Sequence, residues 1–463
     1  MLSSRFLSQA PSILKTYGPS KDVELKINTD SRSFKSGETF VALHGDNFDG
    51  FNYVEQVISF GARAIVYSRK DGREIVVQTF TQNHPGILFI EATDSLKCIQ
   101  ELASLYIREW RAKKADRRII GITGSNGKTT HKEMIYSLLN AIFPNQVLAT
   151  KGNLNNHIGV PLTIFGLEDH HEIAIIEMGM NHKGEINELC AIAHPEHGII
   201  TNIGSAHIEF MHTMENIFKE KACLYQAVLV NAKGQGMFVV NADDEYLIHL
   251  EKSPGLTTYG EKNGDILIQM IDNKINFHIN DQEVLITNNN ILEHHNLKNL
   301  AGTSVLGMKL FPNKTQEIAL AACDYQQPSM NRSQWIENIF LDAYNANPSS
   351  MRVSINSFVT VMKNKGVSLN DCYFVLGDMN ELGVFAQELH LEIAEHVKSL
   401  GIKNVTFIGR YKDFYLKGFK DPKSSHLLKE EFHEEWKQIR KTYKFMFVKA
   451  SRSLQLESLM SIV

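Results

Sequence analysis

The segment Gly121–Thr130, GITGSNGKTT, places the strongest constraint on the fold, because it directly follows an apolar run that begins at Arg117. An apolar run, a glycine-rich turn and a helix-forming stretch predict a strand, a tight loop and a helix. Backbone N–H groups of such a loop can point at phosphate oxygens, and the N-terminus of the helix favours anions. Lys128 would reach the terminal phosphates, and Thr129 would offer its hydroxyl to Mg²⁺. The segment therefore predicts a phosphate-binding loop in a parallel α/β sheet.

The loop departs from the common GxxxxGK[ST] pattern in one respect. That pattern has glycine where this chain has Ile122, and the glycine stands at Gly121 instead. Gly124 and Gly127 still allow the backbone to approach a ligand closely. A tight turn in an ordinary α/β unit is the alternative interpretation. The ordered succession of strand, turn, Lys-Thr pair and helix favours phosphate binding.

The chain has several domains by its length, since 463 residues at roughly 150 per domain suggest about three. Apolar runs alternate with helical patterns from Arg117 onward, and a further alternation starts near Arg332. Strands that alternate with helices imply parallel sheets. We predict an α/β fold with a small N-terminal α/β domain at 1–108, a central parallel-sheet domain at 109–322 and a Rossmann-like C-terminal domain at 323–463.

Composition excludes several classes of protein. The formal net charge is −4, so the basic excess typical of nucleic-acid binding is absent from the sequence. We find no apolar run of about 18 residues and no signal-peptide core, so no membrane span is expected. The five cysteines are scattered without a CxxC pair, which argues against disulfides or zinc and for a reducing compartment. We therefore expect a cytoplasmic protein that binds no nucleic acid.

Two polar residues follow predicted strands, where open α/β sheets bind ligands at the carboxyl ends of their strands. Glu177 ends HEIAIIEMG, and His207 lies just past HGIITNIG. Lys221 lies on a predicted helix fourteen residues after His207. Taken singly, a solvated glutamate, a structural histidine and a surface lysine are the ordinary interpretations. Because they follow a phosphate loop, they are nevertheless candidates for a site of phosphoryl transfer.

These segments together resemble the Mur ligases. GITGSNGKTT, EMGMNHKGEI, NIGSAH and the following lysine occur in that family's order. The resemblance implies that Lys128, Glu177, His207 and Lys221 are catalytic. It also implies that Mg²⁺ is held by Thr129, Glu177, His207 and Lys221. Lys221 corresponds to the lysine that the family carries as a carbamate, and neighbouring Lys219 is the rival for that role.

The same resemblance implies an ATP site shared between the central and C-terminal domains. EHHNLKNLAG resembles the segment in which an asparagine meets the adenine. Arg332 and Asp342 match family residues of the C-terminal domain, with Asp342 at the ribose. A site of this kind would be completed only when that domain closes. The implied ATP contacts are Gly124, Ser125, Asn126, Gly127, Lys128, Thr129, Thr130, Asn296, Asn299, Arg332 and Asp342.

Other segments resemble the branch of the family that adds D-alanyl-D-alanine. They are DAYNANPSSM, LGDMNELG with the following His390, and VKASRS, in which Ala450 replaces the usual glycine. Alanine would be disfavoured there if the backbone needed a positive φ. TDSRSFKSGETF resembles the domain that binds the UDP-linked precursor, with His44 downstream where arginine is usual. The implied substrate contacts are Thr29, Asp30, Ser31, Arg32, Asn155, Asn156, Asn345, Asn347 and His390.

The resemblance thus implies an ATP- and Mg²⁺-dependent ligase, and we expect a monomer. It would join D-alanyl-D-alanine to UDP-N-acetylmuramoyl-tripeptide through an acyl phosphate, with His390 one candidate for the general base. Two alternatives stay open. Another amide ligase, such as a different Mur ligase or a folylpolyglutamate synthase, would not need DAYNANPSSM and TDSR. A non-catalytic sensor of nucleotides or UDP precursors would not need the predicted metal ligands.

Overall fold

The computed structural model describes residues 2–19, 21–70, 72–328 and 332–462. Along the chain, three α/β units follow one another, each with its own mainly parallel sheet. The first sheet has the order β1-β7-β6-β3-β2, and β1 is antiparallel to β7. Its strands, with the small β4–β5 hairpin beside them, are β1 (Ile13–Tyr17), β2 (Ile27–Asn28), β3 (Thr39–Ala42), β4 (His44–Gly45), β5 (Phe48–Asp49), β6 (Ala64–Ser68) and β7 (Leu88–Ala92). Its helices are α1 (Val54–Ser59), α2 (Arg73–Asn83) and α3 (Ser95–Ala112).

The second sheet is parallel throughout and has the order β14-β13-β12-β11-β8-β10-β9. Its strands are β8 (Arg118–Thr123), β9 (Val147–Ala149), β10 (Ile173–Glu177), β11 (His197–Ile200), β12 (Phe238–Asn241), β13 (Leu256–Gly260) and β14 (Ile266–Leu267). The strand β8 lies between β10 and β11. Ile119, Ile120 and Ile122 are all buried, because both faces of this parallel sheet are covered. The loop after β8 therefore emerges in the middle of the sheet edge, beside the ends of β10 and β11.

Helices cover the second sheet, and a small antiparallel sheet extends the same unit. The helices are α4 (Lys128–Ile142), α5 (Gly159–Phe165), α6 (Glu185–Ala193), α7 (Ile208–Met211), α8 (Met214–Asn231), α9 (His294–Leu310) and α10 (Thr315–Asp324). The small sheet consists of β15 (Gln269–Ile271), β16 (Lys274–Ile279) and β17 (Gln282–Thr287). One face of the small sheet is apolar, with Ile275, Phe277 and Ile286 buried, and it shares a hydrophobic core with α4, α9 and α10.

The third sheet has the order β18-β19-β23-β20-β21-β22 and is parallel except for the β18–β19 pair. Its strands are β18 (Gln334–Ile336), β19 (Ile339–Asp342), β20 (Cys372–Gly377), β21 (Val405–Ile408), β22 (Ser424–His426) and β23 (Phe445–Lys449). Its helices are α11 (Pro348–Asn364), α12 (Ala386–Ser399), α13 (Lys412–Phe419) and α14 (His433–Thr442). The side chain of Asn347 caps α11 by accepting a hydrogen bond from Ser350 N.

The helix α3 joins the first unit to the second. Tyr106 and Trp110 are buried, and they donate hydrogen bonds to the carbonyls of Leu167 and Glu168. The guanidinium of buried Arg117 lies 4.7 Å from the Trp110 ring centroid. The predicted limit at 108 therefore falls inside α3, and the limit at 322 falls inside α10. The domain limits remain predictions, and the nearest helix ends are Ala112 and Asp324.

The predicted α/β class, with parallel sheets in successive units, is confirmed. The strands expected from the apolar runs at 173–178, 237–241 and 445–448 match β10, β12 and β23 within a residue or so at each end. Among the described ranges, no helix combines the length and the apolar character needed to cross a membrane.

The replacement of glycine by Ala450 does not strain the backbone. Among the described residues, those with a positive φ do not include Ala450. Its methyl group is fully buried against Gly377, where an added Cβ would come within 2.7 Å of it. Gly377 thus leaves the space that the Ala450 methyl fills. An added Cβ at Gly377 would also lie 2.5 Å from Leu454 Cδ1.

We expect Gly377→Ala to lower the free energy of unfolding of the third unit by about 1–3 kcal/mol, because it overpacks this contact. Adding Ala450→Gly should recover part of the loss, with a favourable coupling of about 0.5 kcal/mol or more. Denaturant unfolding of the two single variants and the double variant measures this coupling. Strictly additive effects would show that the two residues do not compete for the same space.

Candidate functional site

The loop between β8 and α4 is seated against the end of β11. Gly124 has a φ of 153°, and a Cβ added there would lie 1.8 Å from Thr201 Oγ1, so only glycine fits. Ser125 Oγ donates to the carbonyl of Gly204 over 2.8 Å. The backbone N–H of Asn126 donates to Asn202 Oδ1 over 3.0 Å. These contacts fix the loop geometry at the point where α4 begins.

Lys128 begins α4 and folds back over the loop. Its Nζ donates to the carbonyl oxygen of Gly124 over 2.8 Å. Burial lowers the pKa of Lys128, and the nearby Arg332 lowers it further. A group that carries negative charge at the loop would reverse this effect, because an opposite charge favours the protonated amine. The loop is therefore built to receive an anion.

The predicted metal residues Thr129 and Glu177 meet behind the loop. Thr129 Oγ1 lies 3.3 Å from Glu177 Oε1, and Asn155 Nδ2 donates to the same oxygen over 2.7 Å. Glu177 is buried, and its second oxygen, Oε2, has no hydrogen-bond partner among the described residues. A buried carboxylate oxygen without a partner is costly unless a cation binds it. The arrangement thus fits a hard cation next to Thr129.

His207 and Lys221 both lie within electrostatic reach of Lys128. His207 has a φ of 61° and precedes α7, and its Nδ1 lies 2.6 Å from Glu381 Oε2 of the third unit. Lys221 is completely buried on α8, and within the described part of the chain its Nζ has no hydrogen-bond partner. Burial, and then the charge of Lys128, lower the pKa of Lys221 well below its ordinary value. Lys219 is instead exposed and pairs with Glu215 at 3.2 Å.

The third unit presents its own charged residues to the same region. The Arg332 guanidinium lies 3.7 Å from the Tyr344 ring centroid. Asp342 Oδ2 accepts hydrogen bonds from Lys449 Nζ at 2.5 Å and from Ser354 Oγ at 2.8 Å. Lys449 and the Ser354 hydroxyl hold the pKa of Asp342 below its usual range despite burial. Tyr344 and Lys449 were not predicted as site residues, although they lie in the motifs DAYNANPSSM and VKASRS.

The phosphate loop and the third unit touch directly. Asn347 Nδ2 donates to Asn126 Oδ1 over 2.7 Å, and Asn126 Nδ2 donates to Ser349 Oγ over 2.9 Å. A Cβ added at Gly204 would fall 2.5 Å from Ser349 Oγ, so this glycine permits the approach. The start of α11 is therefore packed on the loop.

Two predicted adenine contacts lie near the junction of these units. Asn296 is buried, and Asn299 Nδ2 lies 3.4 Å from its Oδ1. Asn296 Nδ2 approaches Gln327 Oε1 at 3.3 Å. Neighbouring Glu293 accepts a hydrogen bond from Trp335 Nε1 over 2.9 Å, and burial raises the pKa of Glu293. The amide groups are thus ordered beside the connection to the third unit.

The two units enclose a cavity of about 590 Å³, a size suited to a ligand the size of a nucleotide. Residues predicted from the sequence line it from both sides. They are Ser125, Asn126, Gly127, Lys128, Thr129, Thr130, Asn155, Asn156, Glu177, His207, Asn296, Asn299, Arg332, Asp342 and Asn345. Among the described residues, no three His, Cys, Asp or Glu side chains cluster as a metal site. The predicted metal ligands include only one Glu and one His, Glu177 and His207. The other two are the Thr129 hydroxyl and Lys221.

Some predicted residues lie elsewhere. His390 is fully buried in the third unit; its Nε2 accepts from Met379 N, and its Nδ1 lies 2.7 Å from the Ala386 carbonyl oxygen. Burial lowers the pKa of His390 to about 4. The structure thus gives His390 a packing role and does not bring it to the cavity. The segment 29–32 lies in the first unit, where exposed Arg32 pairs with Asp30 at 2.8 Å.

Two further residues of the predicted substrate set have structural roles as well. Asn156 lies at the cavity and also accepts hydrogen bonds from Ile158 N and Gly159 N, where α5 begins. Asn347 caps α11 and holds Asn126.

Lys221 and Gly124 lie behind the residues that line the cavity. His44 is about half exposed, and its Nδ1 lies 3.9 Å from Asp49 Oδ2.

The chain is similar to proteins of known type. Residues 122–307 match the Mur ligase middle domain. The UDP-N-acetylmuramoyl-tripeptide–D-alanyl-D-alanine ligase of Bacillus subtilis (strain 168) is 31% identical over 447 residues, which cover 94% of this chain and 92% of the relative. The ligase of that name from Escherichia coli (strain K12) is 27% identical, with 87% and 86% covered.

Solved structures give the same picture for the whole fold. A crystal structure of MurF from Acinetobacter baumannii superposes with a TM-score of 0.83 and 26% identity, and 99% of this chain and 97% of that chain are covered. The MurF ligase from Thermotoga maritima in complex with ADP superposes with a TM-score of 0.76 and 24% identity, covering 94% and 96%. The second likeness concerns the fold alone.

The Asp342–Lys449 pair permits a direct test of the charges at the cavity. We expect Lys449→Met to lower the free energy of unfolding by about 3 kcal/mol, because it leaves a largely buried carboxylate without its partner. The matched control is Lys444→Met, which breaks the exposed Lys444–Asp371 pair and should cost less than about 1 kcal/mol. Denaturant unfolding of both variants measures the difference. Equal losses would contradict a special role for the Asp342 pair.

Proposed function

This chain belongs to the Mur ligase family, and we propose that it joins D-alanyl-D-alanine to UDP-N-acetylmuramoyl-tripeptide at the expense of ATP. It is an ATP-dependent ligase of the same branch as the relatives named above. The observation that carries the proposal is the packing of the start of α11, from the segment DAYNANPSSM, directly on the phosphate loop. The segment specific to the branch thus lies where the acyl group would be activated.

The reaction proceeds in two steps. The terminal carboxylate of the tripeptide attacks the γ-phosphorus of ATP, and ADP leaves with the electrons of the broken P–O bond. The amine of D-alanyl-D-alanine then attacks the acyl phosphate, loses a proton and expels inorganic phosphate. Lys128 and the loop N–H groups stabilise the charge that develops on the transferred phosphoryl group. The products are the pentapeptide precursor, ADP and phosphate.

In this proposal, His390 is not used as the proton acceptor of the second step. Its two ring nitrogens are engaged by Met379 N and the Ala386 carbonyl, and it lies in the core of the third unit. A general base must reach the attacking amine directly or through one water. The proposal therefore assigns the base to one of the groups that line the cavity.

The residues behind the loop fit Mg²⁺. Thr129, Glu177, His207 and Lys221 would hold it, and the unpartnered Glu177 Oε2 supports this assignment. When bound, the cation supplies positive charge that offsets the charge of the β- and γ-phosphates. In the same proposal, the chain's own Asn155 orients Glu177 through the 2.7 Å hydrogen bond to Oε1.

Lys221 acts in this proposal as a carbamate. Its amine is fully buried and has no hydrogen-bond partner among the described residues, and its lowered pKa favours the neutral form that can add CO₂. The nitrogen lone pair forms the new N–C bond, and the nitrogen releases a proton. The product is an anionic oxygen donor, the kind of ligand that a hard cation prefers. The modification thus turns an isolated buried amine into a partner for Mg²⁺.

The remaining contacts follow the division of the chain. The N-terminal domain, 1–108, binds the UDP moiety through Thr29, Asp30, Ser31 and Arg32. The central domain, 109–322, binds ATP through its loop and through Asn296 and Asn299. The C-terminal domain, 323–463, completes the ATP site with Arg332 and Asp342. In this proposal, Asn155, Asn156, Asn345 and Asn347 contact the peptide substrates.

We place the enzyme in the cytoplasm as a monomer. Its cysteines are free in the described structure, which suits a reducing compartment. ATP and a UDP-linked precursor are substrates expected on that side of the membrane.

Phosphate release from ATP tests the proposed function. We expect release that requires both UDP-N-acetylmuramoyl-tripeptide and D-alanyl-D-alanine, with a pentapeptide product detected by mass spectrometry. Lys128→Met should lower kcat by about 10²–10³-fold, since it removes a stabilising charge at the transferred phosphoryl group. Release driven by single amino acids or by folates would overturn the substrate assignment. Binding of ATP without any phosphate release would favour the alternative of a non-catalytic sensor.

Carbamylation of Lys221 is tested with ¹³C-bicarbonate. We expect a carbamate ¹³C signal from the wild-type enzyme that disappears in Lys221→Arg and persists in the exposed control Lys219→Arg. The Lys221 variant should also lose about 10²-fold in kcat. An active wild-type enzyme without the signal, or a signal that survives in Lys221→Arg, would contradict the assignment.

A further inference from the structure

Glu381 of the third unit reaches into the site of the middle unit. It lies in the turn that follows β20, and its Oε2 is 2.6 Å from His207 Nδ1. Its own carbonyl oxygen accepts a hydrogen bond from Glu209 N over 3.3 Å. The side chain of Glu381 thus contacts the residue just before α7, and its backbone contacts the first turn of α7. In the sequence, Glu381 is part of LGDMNELG, a motif in which no role was predicted for the glutamate.

The turn that carries Glu381 is anchored within its own unit. The backbone N–H of Asn380 donates to Ser451 Oγ, and Asn380 Nδ2 donates to Ser453 Oγ, each over 2.9 Å. Glu381 itself has a φ of 59°, a conformation that residues with a Cβ rarely adopt. The position of the carboxylate is therefore set by the third unit and not by a mobile side chain alone.

The turn also fits closely against the middle unit. A Cβ added at Gly383 would lie 2.8 Å from Glu209 Cγ. This close approach brings the segment after β20 onto α7, directly behind His207. The contact exists only while the third unit is packed on the middle unit, because its two sides belong to different sheets.

A histidine that binds a metal through one ring nitrogen usually has its other nitrogen held by a carboxylate or a carbonyl. That second contact fixes the tautomer and the orientation of the ring. In this chain, the Glu381 carboxylate lies 2.6 Å from Nδ1 of His207, which lines the cavity; this is a close ion-pair contact without the alignment of a full hydrogen bond. Nε2 is then the ring nitrogen that remains for a cation.

We propose that Glu381 is a positioning residue for His207, supplied by the third unit, and that it makes divalent-cation binding depend on the packing of that unit on the middle one. The inference rests on the proposed metal site at Glu177 and His207. It adds that the site is incomplete when the third unit moves away. By reciprocity of linked equilibria, cation binding then favours the packed arrangement.

The test uses the full-length enzyme with ADP and Mn²⁺ as a paramagnetic probe for the cation. Binding of Mn²⁺ is followed by electron paramagnetic resonance in wild type, Glu381→Gln and Glu381→Asp. The matched control is Glu388→Gln, an exposed glutamate seven residues further along that makes no described side-chain contact. ADP affinity in EDTA and thermal unfolding are measured for every variant.

We expect Glu381→Gln to weaken Mn²⁺ binding by about 10–100-fold, the range seen when such supporting carboxylates are removed. Glu381→Asp should weaken it less, because the charge is kept but is drawn back from Nδ1. The melting temperature should match that of Glu388→Gln, since Glu381 is 42% exposed. ADP affinity in EDTA should not fall, because the charge that Glu381→Gln removes is negative and acts on Lys128, the predicted phosphate contact.

Three results would overturn the proposal, and they are distinguishable. Wild-type Mn²⁺ affinity in Glu381→Gln would show that the carboxylate does not support the cation site. Loss of ADP binding in EDTA together with a lower melting temperature would show a purely structural role. Absence of Mn²⁺ binding in the wild-type enzyme would instead remove the proposed metal site itself, and the inference with it.

Discussion

The seating of the phosphate loop on the end of β11 is the contact on which the rest of the site depends. Gly124 lies so close to Thr201 that no side chain fits between them. Asn126 is held by Asn202 from the same edge. Because β8 is flanked by β10 and β11, this seating also places Glu177 and the segment up to His207 around the loop. A parallel sheet with a different strand order would separate these groups.

The middle unit alone leaves the site with unsatisfied groups. Lys221 Nζ and Glu177 Oε2 are buried without partners among the described residues. The third unit contributes contacts from Asn347 and Ser349 to Asn126 and from Glu381 to His207. These contacts leave Lys221 Nζ and Glu177 Oε2 without partners. In the proposal, carbamylation changes the Lys221 amine into a cation ligand, and the bound cation is the partner of Glu177. In this proposal, the chemistry at the site therefore depends on how the third unit packs on the middle unit.

Much of this could be predicted from local sequence. The strands β8, β10 and β20 are continuous apolar runs, because both faces of a parallel sheet are covered. The loop could be predicted from its glycines and Lys128, since a phosphate site imposes both a backbone shape and a charge. Strands β15–β17 were not predicted, because the burial of their apolar side chains depends on packing against α4, α9 and α10 in the folded chain.

The residues that could not be predicted are those whose role exists only in the folded chain. Nothing local distinguishes Glu381 from a surface glutamate, and Lys449 acquires its role from Asp342, 107 positions earlier. His390 shows the reverse case. A histidine after a family motif was expected at the substrate, but the apolar packing around Tyr411 and Tyr415 encloses it instead.

The central claim is that one site, assembled from the middle and third units, holds ATP and Mg²⁺ at the loop. A crystal structure of the enzyme with Mg²⁺, a non-hydrolysable ATP analogue and UDP-N-acetylmuramoyl-tripeptide tests it most directly. The expected result is the γ-phosphate at Lys128, a cation bound by Glu177 and His207, extra density on Lys221 Nζ, and Arg332 and Asp342 at the nucleotide. A nucleotide bound without contact to the third unit, or an unmodified Lys221 with no cation beside Glu177, would contradict it.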